Sequence, residues 1–290
     1  MRTLREIAKE SLSNMASAGK QSVALDEEAR GILRAWWQGE RSAQVGAAKQ
    51  TKAEESPAAA SDAPPMPQAS PAVAKSAQTT EPSSVEEKLA YLRERAQNWT
   101  AARRLGTLRE TMVFAVGDPH ARLALVGEAP GYDEERLGEP FVGKAGQKLN
   151  DILRAMGLSR EQVYITNICK FRPSMGDNQG TANRPPGAEE IAACLPLVLA
   201  ELRAIAPQCI VCLGATAAKG LLGAEGSVSS LRGVWHECQG VPVRVSYHPS
   251  YLLRNEALSA RRAVWEDMLA VMELLALPIS AKQRAYFTQK

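Results

Sequence analysis

Beyond residue 120 the chain contains four short apolar runs, each of the length of a buried β-strand. They are RLALVG (122–127), VYITNI (163–168), QCIVCLG (208–214) and VPVRVSY (241–247). Segments with apolar residues at helical spacing lie between them, the longest being AEEIAACLPLVLAELRAIA (188–206). Continuous apolar strands that alternate with amphipathic helices predict a parallel sheet covered on both faces. The expected fold class is therefore α/β, a three-layer α/β/α sandwich around a four-stranded parallel sheet.

The same patterns predict where this domain begins. Ser84 and Glu87 have the spacing of a capping box and precede apolar residues at helical intervals. The domain is therefore predicted to span residues 85–279, followed by a C-terminal tail at 280–290. Before it, residues 42–84 are rich in Ala, Ser and Pro and carry hardly any large apolar side chain, which predicts a disordered linker.

Residues 1–41 form a separate N-terminal segment with a helical pattern of its own. In EEARGILRAWWQGER (27–41), two aliphatic residues and two tryptophans recur at helical spacing. The pattern is consistent with two alternatives. One is a helix that docks on the domain or on a partner protein, and the other is a marginal helix with no partner.

Composition restricts the class of protein without identifying it. The 290 residues include 35 Lys and Arg against 32 Asp and Glu, and this formal charge of +3 neither requires nor excludes a polyanionic partner. No apolar run is long enough to span a bilayer, and the N-terminus has no apolar segment followed by a cleavage site. We therefore expect a cytoplasmic protein with no membrane contact.

The five cysteines are an odd number in a chain without a secretory signal, so reduced thiols are expected. Cys209 and Cys212 form a CxxC motif, but the motif lies inside a predicted strand. Side chains three residues apart on a strand point to opposite faces, so a metal shared by these two thiols is not expected.

Four loops are expected to converge on one crevice, because the ligand site of a parallel sheet lies beyond the carboxyl ends of its strands. GEAPG follows the first apolar run, TNICKFRP the second, LGATAAKG the third and SYHPSYLLR the fourth. These loops carry five candidate site residues: Glu128, Glu134, Phe141, Asn167 and His248. Each alone also has an explanation without a function: the glutamates as solvated surface charges, Phe141 as a core residue, Asn167 as a loop residue and His248 as a structural histidine. Their joint occurrence after the strands favours a functional site.

Three segments resemble the motifs of the uracil-DNA glycosylase superfamily, most closely its family 4. They are GEAPGYDEERLGEPFVGKAG (127–146), VYITNICKFRP (163–173) and SYHPSYLLR (246–254). The resemblance implies an enzyme, a monofunctional DNA glycosylase that flips deoxyuridine out of DNA, hydrolyses its N-glycosidic bond and starts base excision repair. Uracil-containing DNA is then the expected partner of a nucleoid-associated monomer, and the N-terminal segment is the candidate contact for a protein partner.

The motifs contain the residue types that can stabilise the charges developing in this reaction. Breaking the bond builds positive charge on the sugar and negative charge on the departing uracil. By the resemblance, His248 donates a hydrogen bond to uracil O2. Glu128 and Glu134 stabilise the sugar cation and orient the attacking water, and which of the two does more is left open.

The resemblance also assigns residues to binding of the base. The Asn167 amide accepts from uracil N3 and donates to O4, whereas cytosine reverses both groups. Phe141 stacks on the flipped base. Ala129 and Gly131, in the first loop, are expected to line the substrate pocket.

DNA contacts are expected at the same end of the sheet. By similarity to the leucine loop of the family, Leu252 or Leu253 inserts from the minor groove while Ser250 and Arg254 meet the backbone. For one of the two leucines, a role in capping the sheet is the alternative. Four further basic residues at this end explain how a nearly neutral protein could hold DNA, namely Lys144, Lys170, Arg172 and Arg232.

One departure from the family concerns its iron-sulfur cluster. Family 4 enzymes carry four cysteines that hold a [4Fe-4S] cluster, and the matching positions here are Thr100, Arg103, Phe171 and Cys194. Cys169 is expected on the opposite side of the extended chain, and two thiolates are too few for ordinary cluster ligation. We therefore predict no cluster, no other cofactor and no metal, with a helix over residues 86–103 and a packed Phe171 replacing the cluster as the structural link.

A second departure is SMGDNQGTANRPPG (174–187), which is several residues longer than the matching family loop. It either clamps DNA or is an inert surface insertion. It contains no histidine, which argues against the relatives that trap the sugar covalently. Gly131 stands where another branch has a bulky tyrosine that rejects thymine, so the base range beyond uracil is left open.

Other functions compete with uracil excision. The alternatives are a catalytically weak DNA-binding or scaffold protein and a glycosylase for another deaminated base. The presence of Glu128, Asn167 and His248 together favours catalysis, because scaffolding needs none of them. A nucleotide-binding enzyme is disfavoured, because no GxGxxG or GKS/T phosphate loop follows any of the apolar runs.

Overall fold

The computed structural model of the protein describes residues 82–288, which belong to one compact unit. The predicted N-terminal segment (1–41) and nearly all of the predicted linker lie outside these residues. The helices are α1 (Val85–Gln97), α2 (Thr100–Arg103), α3 (Tyr132–Leu137), α4 (Lys144–Met156), α5 (Ala188–Ile205), α6 (Ala215–Leu222), α7 (Val228–Leu231), α8 (Pro249–Arg254), α9 (Leu258–Leu274) and α10 (Ala281–Arg284). The strands are β1 (Leu108–Met112), β2 (Ala115–Gly117), β3 (Leu123–Gly127), β4 (Tyr164–Asn167), β5 (Phe171–Pro173), β6 (Cys209–Leu213), β7 (Trp235–Cys238) and β8 (Val241–Ser246), and a 3-10 helix spans Arg160–Gln162. None of the helices described here is long and apolar enough to cross a membrane.

The predicted parallel sheet is present, and all four apolar runs form its strands. β4, β3, β6 and β8 lie side by side in that order and pair in parallel. Two antiparallel edge strands, β2 and β7, were not predicted, and they extend the sheet to the order β2-β4-β3-β6-β8-β7. Separately, β1 pairs with β5 in a two-stranded ribbon. The expected four strands are therefore the parallel centre of a six-stranded mixed sheet.

Helices cover both faces of this sheet, as a three-layer arrangement requires. On one face, Leu125 of β3 belongs to the same buried cluster as Leu153 of α4 and Met268 of α9. On the other face α5 lies over β4, where the Glu201 carboxylate accepts a hydrogen bond from the Tyr164 hydroxyl at 3.0 Å. The alternation of side chains along each strand supplies both faces with apolar residues, which is why the runs are continuously apolar.

Both ends of the domain are held by capping and packing. α1 begins at Val85 with the predicted capping box, in which the Ser84 hydroxyl accepts the Glu87 N–H at 3.1 Å. At the other end, the Trp265 indole N–H donates to the Gln283 carbonyl oxygen at 2.6 Å. The residues predicted as a tail thus pack on α9, and the folded domain continues beyond residue 279.

Candidate active site

The carboxyl ends of β3 and β4 meet at one point, and the surroundings of this point are the candidate substrate pocket. Gly127, the last residue of β3, pairs in register with Asn167, the last residue of β4. A Cβ atom at Gly127 would overlap Asn167 Oδ1 and lie 2.5 Å from Phe141 Cζ. The position therefore requires glycine, because an amide and an aromatic ring both approach its backbone closely.

Phe141 reaches this pocket from the loop between α3 and α4 in a strained backbone conformation. Its side chain is buried, and its ring centroid lies 5.6 Å from that of His248. Its φ of +57° lies in the left-handed region, which costs a non-glycine residue about 1–2 kcal/mol. Arg160 contributes contacts that offset this cost, since it donates to the carbonyl oxygens of Pro140 and Phe141 at 2.8 and 3.0 Å.

His248 follows β8 and caps α8, and Ser250 sets the orientation of its ring. Nδ1 accepts the Ser250 backbone N–H at 3.2 Å and lies 2.8 Å from the Ser250 hydroxyl oxygen. Because Nδ1 is an acceptor, the neutral ring carries its proton on Nε2. Burial lowers the pKa of His248 to about 4, helped by the charge of Arg254 and opposed by that of Glu134. The imidazole is therefore neutral at pH 7 and offers an N–H donor.

Glu128 has one carboxylate oxygen held by the protein. Its side chain is half-buried in the loop after β3, and Oε2 accepts a hydrogen bond from the Thr216 hydroxyl in the first turn of α6. Within residues 82–288 no protein donor contacts Oε1, so that oxygen can accept from a water molecule. Thr216 lies in the LGATAAKG loop, which was expected at the crevice, but its residue type alone gave no signal of this contact.

Glu134 differs from Glu128 because backbone amides engage both of its oxygens. Oε2 accepts the Gly131 N–H at 3.2 Å, and Oε1 accepts the N–H groups of Val142 and Gly143 at 3.0 and 2.9 Å. The carboxylate thereby caps α3 and ties this helix to the loop that carries Phe141. A fixed negative charge with a positioning role fits this arrangement better than activation of water.

The inserted loop 174–187 reaches the margin of the pocket. A Cβ atom at Gly131 would lie 3.1 Å from Asn183 Nδ2, so this asparagine occupies the space beside the glycine. Arg172 holds it there, since Arg172 Nε donates to Asn183 Oδ1 at 2.9 Å. Ala129, the other predicted pocket residue of the first loop, is half-buried. Asn183 received no role from the sequence, because its proximity to Gly131 depends on how the insertion folds back.

Two basic residues predicted to bind DNA are instead buried in ion pairs. Lys170 is 0% exposed, and its Nζ lies 2.6 Å from Glu201 Oε1 on α5. Arg172 is 1% exposed, and its Nη1 donates to Glu135 Oε2 at 2.9 Å. The prediction that Lys170 and Arg172 contact DNA is therefore wrong, because a buried and paired charge cannot reach a phosphate.

The other predicted DNA contacts differ in exposure, and Arg232 is partly buried in an ion pair with Asp267. Lys144 is exposed at the first turn of α4, and Arg254 is exposed at the end of α8. The two leucines of α8 differ, since Leu252 is buried against Val264 whereas Leu253 is 41% exposed. Leu253 is therefore the leucine that can enter a groove, and Leu252 is the one that packs on the domain.

The positions that match the cluster cysteines form a packed contact of another kind. The Arg103 guanidinium lies 4.5 Å from the centroid of the Phe171 ring, which is itself fully buried. Arg103 Nη2 also donates to the carbonyl oxygens of Gln97 and Glu110, at 2.9 and 2.8 Å. The guanidinium thus covers the face of the ring and joins the end of α1 to β1.

Two thiols lie near this contact, but the donor set does not fit a four-iron cluster. The Cys169 and Cys194 side chains are both buried and lie close enough to raise the pKa of the Cys169 thiol, so the expectation that Cys169 faces away is wrong. Ordinary ligation of such a cluster needs four thiolates. Within the described part of the chain, no three His, Cys, Asp or Glu side chains are grouped so that they could hold a metal ion.

Comparison with known proteins finds similar chains. The sequence profile of the uracil DNA glycosylase superfamily matches residues 114–269, a range that contains all five candidate residues of the crevice. A type-4 uracil-DNA glycosylase from Thermotoga maritima is 41% identical over 187 residues, which cover 63% of this chain and 92% of that relative. The type-4 enzyme from Sulfurisphaera tokodaii is 36% identical over 184 residues, covering 60% of this chain and 80% of the relative.

Proposed function

Because the chain belongs to the uracil-DNA glycosylase superfamily, we propose that it hydrolyses the N-glycosidic bond of deoxyuridine in DNA and starts base excision repair. The meeting of Phe141 and Asn167 at Gly127, with the His248 ring centroid 5.6 Å from that of Phe141, carries this proposal. An aromatic face, an amide and a neutral imidazole donor are the groups that hold a uracil ring and stabilise the charge it develops.

Asn167 selects the base in this proposal. Uracil presents a donor at N3 and an acceptor at O4, and a carboxamide can accept from the first and donate to the second. The Asn167 side chain is 2% exposed and confined beside Gly127 and Phe141. A base with reversed groups leaves buried polar atoms unpaired, at a cost of about 1–3 kcal/mol for each.

His248 stabilises the leaving group. As the glycosidic bond lengthens, negative charge grows on uracil O2, and the Nε2–H of His248 donates to it. Ser250 holds Nδ1 before the substrate arrives, so little reorganisation is needed when the charge appears. Removing one such preorganised donor from an enzyme site typically costs about 2.7–4 kcal/mol.

The two glutamates act on the sugar side of the bond. Glu128 orients the attacking water, because Thr216 holds Oε2 and no donor within residues 82–288 contacts Oε1. Glu134 contributes a fixed negative charge that favours the sugar cation, and it also holds the loop of Phe141 through the Val142 N–H. Neither role requires a covalent intermediate, and no lyase step is proposed.

Base flipping brings the substrate into this pocket. Leu253 enters the gap left by the flipped nucleotide, while Leu252 anchors α8 through its packing on Val264. Arg254 and Lys144, both exposed, bind the flanking phosphates. Wedging by an apolar side chain offsets part of the cost of unstacking the base.

We expect two lysines to respond differently to substitution. Lys144→Ala should lower the slope of log affinity against log salt by about one, because one phosphate contact is lost. Lys170→Met should leave that slope unchanged and lower the free energy of unfolding by about 3 kcal/mol, because Glu201 is left buried and unpaired. Fluorescence anisotropy over a salt series and urea denaturation measure the two effects. A smaller slope of log affinity against log salt in Lys170→Met would mean that Lys170 does contact DNA.

The proposed activity is tested by base release from the full-length protein. Substrates are a labelled single-stranded oligonucleotide with one deoxyuridine and its U:G and U:A duplexes, with thymine in the control strand. Alkali-sensitive cleavage at the uracil position, absent from the control, supports the proposal. Intact DNA binding without cleavage would favour a scaffold or a glycosylase for another base.

We also propose that the chain works without an iron-sulfur cluster, because three of the four matching positions lack a thiol. Protein purified without oxygen should contain no stoichiometric iron and show no iron-sulfur absorption band. Arg103→Met should lower the free energy of unfolding by about 1 kcal/mol, since the exposed guanidinium loses its contact with Phe171. Arg104→Met, at the exposed neighbouring arginine, is the matched control and should change little. One cluster per chain would overturn this proposal.

A further inference from the structure

Arg160 holds a wall of the pocket from a distance. It begins the 3-10 helix ahead of β4, at the amino end of the strand whose carboxyl end carries Asn167. From there, Nη1 donates to the Phe141 carbonyl oxygen and Nη2 to that of Pro140. Nη1 also lies 3.2 Å from Asn150 Oδ1 on α4. One planar guanidinium therefore fixes two successive carbonyl groups and the helix that follows them.

These contacts meet at the point where the backbone is left-handed. Phe141 has a φ of +57°, a conformation that a bulky residue keeps only when its surroundings impose it. Gly146 contributes to this, because a Cβ atom there would overlap the Phe141 carbonyl group. Glu134 binds the next two amides, those of Val142 and Gly143. The backbone on both sides of the ring is thus held by side chains from other elements of the fold.

The guanidinium itself is partly removed from water. Burial lowers the pKa of Arg160, against the opposing charges of Glu139, Glu161 and Glu134. A partly desolvated cation is stable where its donors are matched by acceptors, as they are here by two carbonyls and an amide oxygen. These bonds make Arg160 a defined support for the loop.

We infer that Arg160 is a positioning residue, which fixes the backbone of Phe141 so that its ring forms a platform for the flipped base before the base arrives. Without the guanidinium, the strained backbone relaxes and the ring leaves its place beside Gly127 and Asn167. The platform must then be ordered during binding, which weakens affinity for the base. This inference rests on the proposed function, because a platform serves only a base that enters the pocket.

Two oligonucleotides separate base stacking from backbone binding. One carries 2′-fluoro-2′-deoxyuridine, which resists hydrolysis, and the other carries a tetrahydrofuran abasic analogue, which has no base. The ratio of their affinities measures what the base contributes. Arg160→Met should lower this ratio about tenfold, with affinity for the abasic analogue unchanged. Arg154→Met is the matched control on α4, since Arg154 is exposed and its partner is the exposed Asp151, and it should change neither affinity.

Further variants decide between positioning and general stability. Phe141→Leu alone should lower the affinity ratio. The double variant Phe141→Leu/Arg160→Met should show little further decrease, because both substitutions affect the same aromatic platform. Arg160→Lys retains the positive charge but not the planar guanidinium, so it should lower the affinity ratio by less than Arg160→Met does. It replaces Arg160→Met in the test if that variant fails to fold.

The outcomes are distinguishable. An unchanged affinity ratio in Arg160→Met or Arg160→Lys, with or without a lower Tm, would overturn the inference and leave Arg160 a stabilising residue. Equal losses of affinity for both oligonucleotides would do the same. A wild-type protein that does not prefer the fluorinated nucleotide over the abasic analogue would instead contradict the proposed function.

Discussion

Substitution of His248 by alanine is expected to lower the rate of uracil release by about 10²–10³-fold, with affinity for uracil-containing DNA nearly intact. The reason is that the Nε2–H donor acts on charge that is present on uracil O2 only while the bond breaks. Single-turnover kinetics measure the chemical step, and anisotropy with the 2′-fluoro oligonucleotide measures binding. A loss of affinity as large as the loss of rate would mean that His248 binds the base before the reaction rather than stabilising its charge.

Ser250→Ala is the control for this substitution. It removes the hydroxyl that lies against Nδ1 but keeps the backbone N–H that Nδ1 accepts. The ring then keeps one of its two orienting contacts, and a loss of only about tenfold is expected. Full activity of His248→Ala would remove the histidine from the reaction altogether.

The pH dependence separates a neutral imidazole from a cationic one. Burial lowers the pKa of His248 to about 4. Uracil release should therefore be constant from about pH 8 to about pH 5 and fall below that, as a proton on Nδ1 disrupts the bonds to Ser250. A cationic catalyst requires the opposite, with activity falling as the pH rises through the pKa of the histidine.

The same shift in pKa links His248 to stability. In the unfolded chain its pKa is about 6.5, so the folded state favours the neutral form. The stability this contributes is complete above about pH 6.5 and is lost as the pH falls towards 4, by at most about 3 kcal/mol. Urea denaturation at neutral and acid pH should show a smaller acid-induced loss in His248→Ala than in the wild type. Equal losses would mean that other groups dominate the acid sensitivity.

The apolar runs predicted the centre of the sheet because a parallel strand covered on both faces consists mostly of apolar residues. The same reasoning did not predict β7, because only Cys238 of its four residues is buried and the strand mixes apolar with polar side chains. An edge strand is defined by its pairing partner, here β8, rather than by a pattern of its own. The end of the sheet at which the candidate residues lie was nevertheless predictable, because the four central strands alone determine it.

Within the site, residues next to strand ends were predicted better than residues whose environment depends on distant partners. Asn167 ends β4, so its position follows from the strand. Lys170 lies three residues later, but its burial depends on Glu201 of α5, and the charge alone gave no sign of this ion pair. The contact of Arg160 with Phe141 is of the same kind, because two segments separate in sequence meet only in the fold.

Asn167→Asp is expected to reduce uracil release by about 10³-fold at pH 8, because an ionised carboxylate can accept from N3–H but repels O4. Protonation of the aspartate restores a donor, and burial of this position raises the pKa of a carboxyl placed there. Activity of the variant should therefore rise as the pH falls towards about 5, whereas wild-type release stays constant in that range. Rates on uracil and cytosine oligonucleotides over this pH range give the measurement.

Asn167→Ala is the control that separates the effect of protonating the aspartate from the loss of the hydrogen bonds between Asn167 and the base. Alanine removes both hydrogen-bonding groups, so its uracil release should be low at every pH, and only the aspartate variant should recover in acid. A protonated aspartate can donate to cytosine N3 and accept from its amino group, so the preference for uracil over cytosine should narrow in the same pH range. Wild-type preference in Asn167→Asp at every pH would exclude Asn167 as the residue that selects the base. The pocket would then discriminate through backbone groups around Gly127, the other polar atoms at the joined ends of β3 and β4.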